Sequence, residues 1–191
     1  MLTLHPHRYQ FNPHLSRDET VINILVKALT VFPSPDFSLG LALLPPHVLA
    51  SARADAPTSG TISEAVQHLF NLHSQLNNAQ YVDFWNTLED DFTADLVADV
   101  QGFEEIMKVR IAVVVSQCMQ EVQRPILESW LNVKGTKFDN FVTEVCGWKI
   151  EGETVQIPLN KENEARSSVV RENVKFDQFS RMIKRAYEQP A

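Results

Sequence analysis

The sequence has little of what common catalytic motifs are built from. It contains six glycines, and none has the GxGxxG or GxxxxGK spacing of a phosphate-binding loop. It also lacks GxSxG and HExxH, the motifs that mark nucleophilic serines and catalytic zinc. All six histidines precede residue 74, so no local cysteine–histidine pair is present. We predict that the protein is not an enzyme and that it needs no cofactor.

Cysteine is scarce as well, and its placement indicates neither a disulfide nor a metal site. Cys118 and Cys146 both lie in apolar stretches, where cysteine is usually a small buried hydrophobic residue. His68 and His73 would point about 140° away from each other on a helix, so they cannot share an ion. The sequence therefore predicts no metal site and a reducing, cytoplasmic location, without excluding the nucleus.

Long apolar runs and an excess of positive charge are also missing. The most apolar stretch, residues 103–122, carries charges in its first half and falls short of the ~20 apolar residues that span a membrane. Residues 1–124 hold 7 Lys and Arg against 14 Asp and Glu, and residues 125–191 hold 10 against 10. We therefore expect no membrane contact and no direct, specific nucleic-acid binding, and we favour protein partners.

Residues 103–122 are predicted to form the central helix of the chain. Their apolar positions recur at steps of three and four, as expected of one side of a helix. These positions are Phe103, Met107, Ile111, Val114, Cys118 and Val122. Residues 111–115 are apolar throughout, which predicts that this part of the helix is covered on all sides.

The two halves around this helix differ in their predicted structure. Residues 1–124 form short helices with one apolar face each, as in stacked helical-repeat domains. Residues 125–191 form two helices, a hairpin with Gly152 at its turn, a charged loop, a third strand over residues 169–176 and a last helix. These are the ingredients of a winged helix, although a generic α+β module uses similar parts. The predicted fold is mainly α, with a HEAT-like helical-repeat domain followed by a winged-helix α+β domain.

Three aspartates form an acidic face in the first domain. Asp91, Asp95 and Asp99 recur at steps of four on one side of a predicted helix. A catalytic carboxylate pair needs one group buried in a pocket, whereas this run is predicted to be solvated. A plain soluble surface is favoured, and a docking patch for a basic partner is the alternative.

The last helix has an apolar stripe suited to packing against another helix. The stripe comprises Phe176, Phe179, Met182, Ile183 and Ala186. It packs either on the winged helix of its own chain or against a groove or helical bundle of a partner. The predicted third strand, with Val169 and Val170, is a candidate sheet edge for adding a partner's strand. We select these residues and the acidic face as candidate protein-interface positions.

Seven short segments of the sequence occur in a recognisable order. They are Tyr9–Pro13, Ile24–Leu29, Pro35–Leu39, Phe84-Trp85, Gly102–Glu104, Gly147-Trp148 and Val174–Asp177. Together they cover nearly the whole chain and resemble the family of subunit k of the eukaryotic translation initiation factor 3 complex. Its members carry further helices before the first of these segments, so we expect this chain to lack the family's first helices.

The resemblance implies a helical-repeat half followed by a PCI-type winged helix, and it implies a scaffold without catalytic activity on the small ribosomal subunit. It also implies pairing with subunit l and contacts to the core of the factor through subunit e. Small subunits of the proteasome lid and the signalosome are related, and an equivalent role there is the first alternative. A winged-helix nucleic-acid-binding protein is the second alternative.

Overall fold

The first half of the chain folds into short helices that stack on one another. The structure is a computed structural model that describes residues 18–46, 48–49, 62–165 and 176–188. Within these ranges, five helices with described bounds precede the central one. They are α1 (Asp18–Leu29), α2 (Asp36–Ala42), α3 (Ile62–Asn77), α4 (Tyr81–Leu88) and α5 (Asp91–Ala98).

Each of these helices buries one face, as the spacing of apolar residues predicts. In α3, Leu69, Leu72 and Leu76 are at most 1% exposed, because steps of three and four place them on one side. The helices α1 and α2 approach closely at Gly40, where an added Cβ would lie 3.1 Å from Cδ2 of Leu25. Glycine at this position therefore permits the close packing of the two helices.

The central helix, α6, spans Phe103–Cys118 and ends earlier than the sequence predicts. Met119 is already extended, and Glu121–Gln123 forms the strand β1. Val122 is compatible with a helix and with a strand. It continues the helical spacing of three and four, and it is also the one buried residue of β1. Pairing with a later strand decides the outcome, and such pairing leaves no local signal in the sequence.

The prediction that α6 is covered on all sides is wrong. Its buried face consists of Phe103, Met107, Ile111, Ala112 and Val115. Val113 is 39% exposed and Cys118 is also exposed, so α6 keeps an open side despite its apolar centre.

The second half is an α+β module of the winged-helix type. After β1 it contains α7 (Arg124–Leu131), α8 (Thr136–Asn140), a π-helical turn (Phe141–Val145), β2 (Lys149–Glu151) and β3 (Thr154–Gln156). The strands form an antiparallel sheet in the order β1-β3-β2. The predicted hairpin is confirmed, with Gly152 at a φ of 63° in the turn between β2 and β3.

The third strand of this sheet is β1, which precedes the two helices of the module. The strand predicted over residues 169–176 is not part of the described sheet, because residues 169–175 lie outside the described ranges and Phe176 begins a helix. That last helix, α9, spans Phe176–Glu188.

The prediction of a mainly α chain with a winged-helix α+β module is confirmed. One hydrophobic cluster extends from Leu25 in α1, through Met107 and Ile111 in α6, to Val155 in β3. The central helix therefore contributes to the packing of both halves. In the described part of the chain, no helix has the length and apolar character needed to cross a membrane.

A single arginine fastens the two helices of the module to each other. The Nε atom of Arg124 donates to Glu128 at 2.9 Å, and its Nη2 atom lies 2.7 Å from Oδ1 of Asp139. The guanidinium also stands 5.4 Å from the ring centroid of Phe138. Because Arg124 is the first residue of α7 and follows β1 directly, these contacts tie the start of α7 to α8.

Candidate protein-interaction surfaces

The helix α9 presents an apolar side on which nothing of the described chain packs. Every residue from Phe176 to Glu188 is exposed. The large apolar side chains are Phe176 at 82%, Phe179 at 54%, Met182 at 74%, Ile183 at 44% and Tyr187 at 87% exposed. At 100° per residue they fall on one side together with Ala186, and the basic residues fall on the other.

Tyr187 belongs to the apolar side of α9 but is not among the interface residues predicted from the sequence. It lies four residues after Ile183, and it is the most exposed of the large apolar side chains of α9. The signal was present in the spacing, because residues four apart lie on the same side of a helix. Its ring extends the apolar side of α9 to the end of the helix.

The acidic face lies on α5 and on the turn that follows it. Asp91 and Asp95 are exposed on the helix, and Asp99 is exposed as its C-cap residue. The carboxylate of Asp99 accepts a hydrogen bond of 3.1 Å from the amide of Asn23 in α1. Carboxylates in this arrangement are solvated rather than enclosed, which suits a soluble surface or a contact with a basic partner.

The predicted strand-accepting edge falls outside the part of the chain that the structure describes. Val169 and Val170 lie outside the described residues. In the described sheet the two outer strands are β1 and β2, and each is only three residues long. Short outer strands offer few free backbone groups to an incoming strand.

The cysteines and the buried histidine have structural environments. Burial raises the pKa of the Cys146 thiol to about 11, so this thiol stays protonated at neutral pH and is a poor nucleophile. His73 is 8% exposed, and its Nε2 atom lies 2.9 Å from the amide nitrogen of Asn77 and 3.1 Å from the hydroxyl of Ser38. Within the described ranges, no cluster of His, Cys, Asp and Glu is arranged to hold a metal ion.

A second open apolar surface lies on the central helix, where the sequence predicts burial. Ile106, Val109 and Val113 are 37%, 40% and 39% exposed. Steps of three and four place them on one side of α6, opposite Met107 and Ile111. We call these three residues the α6 strip.

Two asparagines after β3 hold the end of this helix. The side-chain amides of Asn160 and Asn163 donate to the carbonyl of Ser116 at 2.7 and 3.0 Å, and that of Asn163 reaches the carbonyl of Met119 at 3.2 Å. The amide of Gln120 in turn donates to the carbonyl of Asn163 at 2.7 Å. The last carbonyls of a helix lack partners within the helix, so these contacts cap α6 from the opposite half of the chain. We call Asn160 and Asn163 the asparagine clasp.

Comparison with known proteins agrees with this architecture. The profile of the CSN8/PSMD8/EIF3K family matches residues 15–169. Proteins named eukaryotic translation initiation factor 3 subunit K are 64% identical in Phaeosphaeria nodorum, 60% identical in Botryotinia fuckeliana and 53% identical in Emericella nidulans. Each of these matches covers 96% of this chain and 77% of the relative.

The family match includes both the stacked helices and the hairpin of the winged-helix module, and the three relatives align over almost the whole chain. The chain therefore belongs to the CSN8/PSMD8/EIF3K family and, within it, to the subunit K group of eukaryotic translation initiation factor 3.

Proposed function

We propose that this chain is a non-catalytic scaffold subunit of eukaryotic translation initiation factor 3. It acts through protein–protein contacts in the assembly of the translation initiation complex on the small ribosomal subunit, in the cytoplasm. Its partners are other subunits of the factor, above all subunit l and the region of subunit e. The family to which the chain belongs supports the identity of the complex.

The exposed apolar side of α9 is the observation that carries the proposed mode of action. A side chain such as Ile183 contributes about 1.5–3 kcal/mol when it is moved from water into a protein interior. Five large apolar side chains that remain exposed on one helix therefore favour a contact with another protein. In this proposal α9 packs against helices of a neighbouring subunit, with Phe179 and Ile183 near the centre of the contact.

The two halves of the chain have different tasks in this proposal. Residues 1–124 form the docking body, whose Asp91, Asp95 and Asp99 face a basic surface of the complex. Residues 125–191 form the assembly module, in which α9 and the segment with Val169 and Val170 meet the partner. The equal numbers of basic and acidic residues in this half favour protein contacts over direct binding of nucleic acid.

The test compares two matched variants of the tagged full chain in the cells from which it comes. Ile183→Glu introduces one negative charge on the apolar side of α9, whereas Arg181→Gln changes the net charge equally on the polar side. After gentle purification, the co-purifying subunits are identified and quantified by mass spectrometry. We expect the wild type and Arg181→Gln to recover initiation factor 3 subunits. Ile183→Glu should recover at least about tenfold less of these subunits, because one apolar side chain of the contact is lost.

Each alternative has its own outcome in this experiment. Recovery of proteasome-lid or signalosome subunits without initiation factor subunits would show that the chain has the equivalent role in one of those complexes. Equal recovery of initiation factor subunits by all three chains would support membership of the factor but would show that α9 is not the contact. Tight binding to duplex nucleic acid that weakens steeply with salt would favour the nucleic-acid-binding alternative.

A further inference from the structure

The α6 strip and the apolar side of α9 are two open helical surfaces of one chain, and they have the same spacing. On α6 the exposed residues Ile106, Val109 and Val113 follow at steps of three and four. On α9, Phe176, Phe179 and Ile183 follow at the same steps. Helices whose apolar residues share this spacing can pack along each other over two turns.

The asparagine clasp places the start of the connection to α9 beside the α6 strip. Asn163 is held at the carbonyls of Ser116 and Met119, so the chain leaves the module at the C-terminal end of α6. Ten residues, 166–175, separate the described loop from α9. Ten residues can span up to roughly 35 Å, whereas Val113 lies only about 5 Å along the helix axis from Ser116. The connection is therefore long enough for α9 to reach the whole strip.

The charges favour one orientation of such a contact. A chain that leaves the C-terminal end of α6 and runs back along it makes α9 antiparallel to α6. The basic residues Lys184 and Arg185, on the polar side near the end of α9, are then at the same end of the helix pair as the acidic first turn of α6, with Glu104 and Glu105. Opposite charges at this end and the opposed helix dipoles both favour the antiparallel arrangement.

We propose that α9 docks antiparallel on the α6 strip of its own chain when no partner subunit holds it. The structure described here, with α9 fully exposed, is then the open form, and the docked form is its closed counterpart. Tethering favours this occupant over a separate molecule, because a short linker raises the local concentration of α9 to the millimolar range. Only the consequence that a partner must displace α9 from α6 rests on the proposed function.

The test measures how fast a thiol on the α6 strip reacts with a maleimide in the purified full chain. Val109→Cys provides the thiol, in a chain in which the exposed Cys118 is replaced by serine. Cys146 contributes little background, because it is half-buried and its pKa is raised. The reaction is compared in chains that also carry Ile183→Glu or the matched control Arg181→Gln.

We expect Ile183→Glu to speed the labelling of Val109→Cys about tenfold, as for a contact that is closed about 90% of the time. Arg181→Gln should leave the rate unchanged. A thiol at Val82, which is 45% exposed on α4, should react at the same rate in all chains. Val113→Cys serves as a second reporter if Val109→Cys does not fold.

Two results would overturn the proposal. Equal labelling rates with and without Ile183→Glu would show that α9 does not cover the strip. Protection that disappears on dilution, with a dimer in sedimentation, would assign the strip to α9 of a second copy. Because the assay uses the isolated chain, its outcome is independent of whether the chain recovers initiation factor subunits from cells.

Discussion

The indole nitrogen of Trp85 donates a hydrogen bond of 2.8 Å to the backbone carbonyl of Trp130. This bond joins α4 in the stacked helices to α7 in the winged-helix module. The ring of Trp130 also meets that of Tyr81 edge-on, with 6.0 Å between the ring centroids. Trp85 is only 4% exposed and the bond is partly buried, so it links the two halves at the edge of the core.

We expect Trp85→Phe to lower the free energy of unfolding by about 2–4 kcal/mol. The change removes the only donor of the indole ring and leaves a space beside Trp130. Urea denaturation followed by circular dichroism measures the effect. Trp130→Phe is the matched control, because the backbone carbonyl stays in place and the 2.8 Å bond is kept. A cost for Trp130→Phe as large as that for Trp85→Phe would argue against the importance of the bond.

In the asparagine clasp, replacing Asn163 by aspartate should destabilise the protein more than replacing it by alanine. In Asn163→Asp, an oxygen replaces the amide nitrogen that faces the carbonyls of Ser116, Met119 and Pro158. We expect Asn163→Asp to lower the free energy of unfolding by about 2–3 kcal/mol and Asn163→Ala by about 1–2 kcal/mol. Both are measured by urea denaturation.

Asn78→Ala is the control for the clasp, because its amide makes a single exposed contact of 3.4 Å with Ser74. Its effect should stay within about 0.5 kcal/mol. If Asn163→Asp lowers the free energy of unfolding no more than Asn163→Ala does, the clasp does not cap α6 in solution.

His73 should make the protein less stable as the pH falls. Burial lowers its pKa from the ordinary value of 6.5, because the charged imidazolium loses water in the folded state. The unfolded chain therefore binds the proton more readily than the folded chain. The contribution of neutral His73 to stability is fully present above pH 6.5, and it is lost as the pH falls below 6.5 through the lower pKa of the folded state.

The measurement compares the free energy of unfolding of the wild type and His73→Gln at several pH values from 7.5 down to about 5. We expect the decline in stability toward acid pH to be smaller in His73→Gln, since glutamine does not titrate. Asn77 donates to the ring nitrogen that would accept the proton, which also opposes protonation. Identical pH profiles of the two chains would contradict the assignment.

Helices of the first half were predictable because their signals are local. The spacing of Leu69, Leu72 and Leu76 identifies both α3 and its buried side. In the second half, Gly152 between two short runs typical of strands made the hairpin recognisable, and its φ of 63° agrees with a turn there. These features depend on residues that lie within a turn or two of one another.

What the sequence did not reveal depends on contacts between distant residues. The strand β1 exists because Val122 pairs with Val155, and the clasp joins residues more than forty positions apart. The open side of α6 at Val113 is equally non-local, since an apolar residue on a helix is buried only if another element reaches it. The amphipathic character of α9 was predictable, whereas the exposure of its large apolar side chains was not.

The position of Ile111 predicts that the two halves unfold together. Ile111 is 0% exposed, and it belongs to the one cluster that reaches from α1 to β3. Ile111→Ala should therefore lower the free energy of unfolding by about 2–4 kcal/mol, because it leaves a cavity in this shared cluster. The transitions followed by far-ultraviolet circular dichroism and by tryptophan fluorescence should coincide, as they do in a two-state protein. The control Val113→Ala, on the open side of the same helix, should cost less than about 1 kcal/mol. Two separate transitions in Ile111→Ala would mean that α6 stabilises only one half, and that the other keeps its own core.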